Sequence, residues 1–132
     1  MYEIKIYSKK TEGNTQVARN FKASEFACKD GSDVILIDPL LLWILQNVRD
    51  HFGKPVVITS GYRTPAYNAN LSGASSTSYH MQGRAADFVV SGVKAADVQA
   101  YLETIMPNTG GIGKDSSYTH VDTRETKSRW TY

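Results

Sequence analysis

Apolar and polar side chains alternate from Tyr2 to Tyr7, the period of a half-buried strand. Lys9 to Gln16 is polar, carries a Gly-Asn pair and reads as a loop. Asn20 to Phe26 offers Ser24 as the cap of a short helix. Val34-Ile-Leu-Ile37 runs into Asp38-Pro39, a helix start with aspartate as cap and proline in the first turn. Leu40, Leu41, Ile44, Leu45, Val48 and Phe52 follow at helical spacing and make one broad apolar face, which Gly53 ends. This predicts the main core helix.

Pro55 to Thr59 is a short apolar strand, and Ser60 to Pro65 a turn into a helical segment around Tyr67 to Asn70. Leu71 to Thr77 is a loop rich in glycine, serine and alanine. Ala85 to Val90 reads as a strand, Lys94 to Ile105 as a second amphipathic helix, Gly111 to Gly113 as a strand start and Tyr118 to Thr123 as the last strand. There are no internal repeats and no linker. The predicted fold class is α+β, with two main helices on a small, mainly antiparallel sheet.

At 132 residues the chain is long enough for one domain with a real core, spanning 1–132. Its net charge of +2 is too small to point to nucleic acid as a partner. The one cysteine, Cys28, excludes an intramolecular disulfide and reads as a small buried residue. No stretch is apolar for the length of a membrane span, and the N-terminus lacks the pattern of a signal peptide. Synthesis in the cytoplasm is therefore expected, with release by some other route if the protein acts outside.

The chemistry gathers in Ser78-Tyr-His80-Met-Gln-Gly83-Arg-Ala85-Ala-Asp87. An imidazole and a carboxylate lie seven residues apart, joined by small residues that let the backbone fold back closely. A second histidine, His120, follows in the strand segment Tyr118-Thr-His-Val-Asp122. Two histidines and a carboxylate form a ligand set of catalytic zinc, which keeps a fourth position open. Strand alternation points Asp122 to the same face as His120 and turns Val121 into the core. An isolated histidine is usually just hydrogen-bonded or exposed. The ten-residue pattern plus a later His-x-Asp is far harder to reach by chance. His51, at the end of the main helix, reads as a histidine facing the helix dipole.

Ser78-x-His80-x-x-Gly83-x-Ala85-x-Asp87 followed by His120 resembles the signature of the zinc D-Ala-D-Ala carboxypeptidase and L,D-endopeptidase family. Ser60-Gly-Tyr-Arg63-Thr-Pro-Ala-Tyr-Asn68 is similar to that family's arginine-bearing turn. Gly110-Gly-Ile-Gly113, His120-Val-Asp-Thr-Arg124 and Trp130 resemble its compact branch, which includes phage endolysin domains. The resemblance runs from about Asn20 to Trp130. It implies the fold shared with hedgehog domains, one zinc ion held by His80, Asp87 and His120, and Arg63 as the cation beside it. It also implies that Asn68 and Ser78 contact the substrate, a peptidoglycan stem peptide, with Tyr62, Tyr67, Tyr79 and Trp130 able to wall its groove. A monomer encoded by a phage or prophage and acting on cell wall is the expected setting.

The implied chemistry is metal-assisted amide hydrolysis, in which a carboxylate moves the proton and Arg63 shares the charge on the carbonyl oxygen. Many relatives carry that carboxylate three residues before the last zinc histidine, and others a histidine two before it. Here those positions are Ser117 and Tyr118. The nearest carboxylates are Asp122, on the metal-facing side of the strand, and Asp115 in the preceding loop. Asp122 is the first choice for the base, unless it orients an imidazole and leaves the role to Asp115. The departure at Ser117 also keeps open a non-catalytic, zinc-containing module that binds cell wall or belongs to a virion.

Overall fold

The computed structural model describes residues 3–132. The first strand, β1 (Lys5–Ser8), falls within the predicted alternation, whose first residue Tyr2 lies outside the described part. The polar run after it is not all loop. It forms a one-turn helix, α1 (Lys9–Glu12), capped by Ser8, whose hydroxyl accepts from Thr11 N at 3.3 Å. Two short strands follow, β2 (Gln16–Ala18) and β3 (Phe21–Lys22), paired antiparallel. The next turn, Ala23–Phe26, is a 3₁₀ helix that starts one residue before the expected cap Ser24. Glu25 accepts the Lys22 N–H at 2.7 Å and fixes its start.

β4 (Val34–Ile37) pairs with β1 and leads into α2 (Pro39–Phe52). Asp38 is extended and accepts from Leu40 N at 2.9 Å. At the other end Gly53 adopts φ +63°, and its N–H donates to Arg49 O at 3.0 Å. Both ends therefore satisfy backbone groups that a helix leaves open. His51, in the last turn of α2, stacks on Tyr101 with ring centres 3.9 Å apart. Leu41, Leu42, Ile44, Leu45 and Val48 are buried.

The remaining strands make one five-stranded sheet: β5 (Val56–Ser60), β6 (Ala85–Val90), β7 (Gly111–Lys114), β8 (Thr119–Asp122) and β9 (Ser128–Thr131). Their order is β5-β6-β8-β7-β9, antiparallel except for the parallel pair β7–β9. The strand β9 follows a polar run with no apolar alternation, so sequence periodicity does not reveal it. A short helix α3 (Pro65–Ala69) and a 3₁₀ turn at Tyr79–Gln82 lie between β5 and β6, and α4 (Ala95–Ile105) follows β6.

The two faces of this sheet have different jobs. Ala86, Phe88 and Val90 of β6, Ile112 of β7 and Val121 of β8 share one core with the apolar residues of α2 and α4. Alternation then commits Ala85, Asp87, Gly111, Gly113, His120 and Asp122 to the opposite face. The candidate site is built there.

Candidate metal centre and cleft

Register sets the first pair of site residues. Asp87 of β6 lies directly opposite His120 of β8, and Ala85 lies opposite Asp122. His120 Nδ1 comes within 2.9 Å of Asp87 Oδ1. The third residue arrives from the 3₁₀ turn. Ser78 caps that turn, its hydroxyl accepting from His80 N at 3.2 Å, and Gly83 ends it with φ +72°. Gly83 also packs against β4, where a Cβ would lie 2.5 Å from Leu36 O, so a larger residue would push the turn away.

His80 is buried, and its orientation is fixed by the Ser60–Pro65 turn. His80 Nδ1–H donates to Gly61 O at 2.8 Å, while Arg63 N donates to His80 O at 3.1 Å. The remaining ring nitrogen, Nε2, lies 3.4 Å from Asp87 Oδ1. One ligand atom from each of His80, Asp87 and His120 thus falls within 4.8 Å of the other two. A tetrahedral zinc ion about 2.1 Å from each ligand would separate them by about 3.4 Å. The donor set fits a metal: two nitrogens and one oxygen, each imidazole with its other nitrogen already engaged.

Behind His120 stands Asp122, fully buried. Its Oδ2 accepts from His120 Nε2–H at 2.8 Å, and its Oδ1 accepts from Gly111 N at 3.0 Å. Arg124 clamps the same carboxylate, Nε to Oδ1 at 2.8 Å and Nη2 to Oδ2 at 2.7 Å. Burial works to raise the Asp122 carboxyl, but His120 and Arg124 outweigh it and hold it well below the usual carboxylate range. For Asp87, too, burial is opposed and overcome by hydrogen bonds and charge from His120 and His80. His120 is pulled down by burial and raised further by Asp122 and Asp87, with a net upward shift.

The three residues sit in a cleft of about 670 Å³, walled by Arg63, Ser78, Tyr79, Tyr118, Arg124, Trp130 and Tyr132 and by the loop from Leu71 to Thr77. Tyr79 and Trp130 line it as the sequence suggests, whereas Tyr62 is buried and Tyr67 lies off the wall. Tyr118 and Tyr132 are two further aromatics on the wall, beyond those the sequence suggests for it. Alternation from His120 back to 118 was the signal available for the first. The Tyr118 hydroxyl is pushed up to about 12 by burial and by the nearby Tyr132 and Asp87, so it stays a neutral donor.

Arg63 donates through Nε to Ser60 Oγ at 3.2 Å, through Nη1 to Asn68 Oδ1 at 3.2 Å, and reaches Asp87 Oδ2 with Nη2 at 3.5 Å. Asn68 is itself buried and donates to Ser75 O at 2.8 Å. It stands behind Arg63 and ties it to the loop, rather than presenting itself to the cleft.

Neither carboxylate considered as the base faces the cleft. Asp122 has both oxygens occupied inside the protein, and Asp115 lies half-buried outside the cleft, accepting from Ser117 N at 2.9 Å and Ser117 Oγ at 2.6 Å. Among the described residues, Asp87 is the one carboxylate on the wall. Strand alternation puts Asp122 on the face that carries the site, but His120 stands between it and the cleft, which alternation alone does not reveal.

A family model described as Peptidase M15 matches residues 17–122, which include all three converging side chains. The chain belongs to this family. It is 31% identical over 104 residues to the probable peptidoglycan L,D-endopeptidase MepK of Haemophilus influenzae, covering 72% of this chain and 55% of that protein. To the peptidoglycan L,D-endopeptidase MepK of Escherichia coli K12 it is 33% identical over 95 residues, 66% of this chain and 51% of that one. To the zinc D-Ala-D-Ala carboxypeptidase of Streptomyces albus G it is 33% identical over 87 residues, 61% of this chain and 32% of that one. The M15 chain thus spans about half the length of the MepK proteins it matches. No solved structure matches it significantly. No helix among the described residues is long and apolar enough to cross a membrane.

Proposed function

We propose that this chain is a zinc-dependent peptidase that hydrolyses amide bonds in peptidoglycan stem peptides. The observation that carries the reading is the convergence of His80 Nε2, Asp87 Oδ1 and His120 Nδ1 on the floor of an open cleft. Relatives named for cutting peptidoglycan peptides at L,D bonds favour an endopeptidase over a carboxypeptidase.

In this reading His80, Asp87 and His120 hold one zinc ion. When bound, zinc supplies Lewis-acid activation of the scissile carbonyl and of the attacking water. The protein's part is orientation and charge. Arg63, held by Ser60 and Asn68 beside Asp87, donates toward the carbonyl oxygen as negative charge develops there. Tyr118, kept neutral, is a second donor on the same wall. Ser78 offers a hydroxyl at the rim, and Tyr79, Trp130 and Tyr132 supply faces for the peptide. Asp122 fixes the tautomer of His120, and Asp115 closes the turn at Ser117, so neither serves as the base.

Digestion of purified murein followed by mass spectrometry of the fragments tests the reading. New termini within stem peptides are expected, lost with a chelator and restored by Zn²⁺. Protein that sediments with murein and generates no new termini would make it a binding module instead.

A further inference from the structure

We propose that Arg124 is a positioning residue for the metal centre, acting through Asp122 to present His120 Nδ1 to the ion. The inference rests on the zinc reading above and adds a residue to it. Asp122 carries a buried charge, and its two oxygens accept five hydrogen bonds in all. Oδ1 takes Gly111 N at 3.0 Å, Arg124 N at 3.2 Å and Arg124 Nε at 2.8 Å; Oδ2 takes Arg124 Nη2 at 2.7 Å and His120 Nε2 at 2.8 Å. Three of the five come from Arg124.

A guanidinium gripping both oxygens fixes the plane of a carboxylate as well as its charge. With Asp122 so fixed, Oδ2 can only accept from His120, which places the proton on Nε2 and leaves Nδ1 as the ligand. Arg124 and Asp122 are two residues apart, so their pairing staples no distant segments of the fold. What it secures is the direction of one carboxylate.

Arg124 is held in turn by the cleft. Its Cζ lies 4.6 Å from the ring centre of Tyr79 and 5.1 Å from that of Trp130, distances at which a cation is attracted to an aromatic face. The Trp130 ring also lies 5.1 Å from the His120 ring and fills the space above Gly113, where a Cβ would come within 2.7 Å of Trp130 Nε1. Arg124 therefore links two cleft walls to the metal's supporting shell.

Arg124→Met and Arg124→Lys test this by two readouts that do not need turnover: zinc affinity by chelator competition, and the His120 tautomer by long-range ¹⁵N–¹H NMR. Loss of an outer partner of a ligating histidine commonly weakens metal binding about 10–100-fold. Arg124→Met should show that loss together with a mixed tautomer at His120. Arg124→Lys, unable to grip both oxygens, should recover only part of it. Arg84→Met removes another cation near the Tyr79 ring, its Cζ 5.3 Å from the centre, and the bond from Nη2 to Thr123 O at 2.6 Å, but leaves the Arg124 grip on Asp122 in place, and should weaken zinc binding less than Arg124→Met does. Wild-type affinity and an intact Nε2–H tautomer in Arg124→Met would overturn the proposal. If that variant does not fold, wild-type affinity in Arg124→Lys overturns it. Wild-type protein that takes up no zinc would instead defeat the metal reading, and the tautomer comparison would still judge Arg124.

Discussion

Gly111 and Asp122 face each other across β7 and β8, and the Asp122 carboxylate fills the space a side chain at 111 would need. A Cβ there would stand 2.6 Å from Asp122 Cγ. The glycine is therefore required for room, with no left-handed backbone involved.

Gly111→Ala should displace Asp122 and disturb His120, weakening zinc binding by about 10–100-fold. Chelator competition measures this directly. Unaltered affinity would mean that the carboxylate can move aside without consequence for the ligand.

Asp122→Asn and Asp115→Asn should part company. The first leaves His120 facing an amide that can no longer enforce its tautomer, as when the orienting aspartate of a catalytic triad is replaced and turnover falls by about 10⁴. A loss of about 10²–10⁴ in hydrolysis is expected, with weaker metal binding. The Asp115 carboxylate accepts from Ser117, away from the cleft, so its change should alter rate by less than about twofold. Steady-state hydrolysis of muropeptides checks both, and a large loss in Asp115→Asn would restore it as a candidate base.

Arg63→Ala should lower kcat by about 10²–10³, the usual cost of one donor to a developing oxyanion. Zinc content should stay near wild type, since Arg63 reaches Asp87 only at 3.5 Å through the oxygen that does not face the histidines. Turnover and metal analysis on the same sample separate the two effects.

Much of this was legible from the chain because the determining features are local. Asp38-Pro39 and Gly53 mark both ends of α2, and the short, mostly apolar run from Ala85 to Val90 is a strand with the bounds read from the sequence. The Ser78-to-Asp87 spacing works because a 3₁₀ turn closed by Gly83 returns His80 over the strand that carries Asp87. What sequence could not supply was depth and partner choice. Nothing local marks Asn68 as buried behind Arg63, or Asp122 as shielded by His120. The strand β9 owes its place to parallel pairing with β7 and to Arg129, whose Nε donates to Glu103 at 2.8 Å and whose Nη2 donates to Met106 O at 2.6 Å. Its own polar sequence carries no strand period.

Acid should loosen β9 early. Burial works to raise the Glu103 carboxyl, but Arg129 and Lys114 more than offset it, and the net shift is downward. A carboxyl lower in the folded than in the unfolded state stabilises above its unfolded value, about 4.3, and that stability is lost as pH falls through the folded value. Glu103 is partly exposed, so the effect is small and local. Amide exchange in β9 and the Trp130 indole signal, followed by NMR from about pH 6 to pH 3, should change before the β6 amides do. Simultaneous change in both strands would contradict it.

The most direct measurement is zinc content after exhaustive dialysis, by inductively coupled plasma mass spectrometry, on wild type and on His80→Ala and His120→Ala checked for folding. About one zinc per wild-type chain is expected, and essentially none in either folded variant. Wild-type protein that returns no zinc, or variants that keep it, would contradict a metal held by His80, Asp87 and His120.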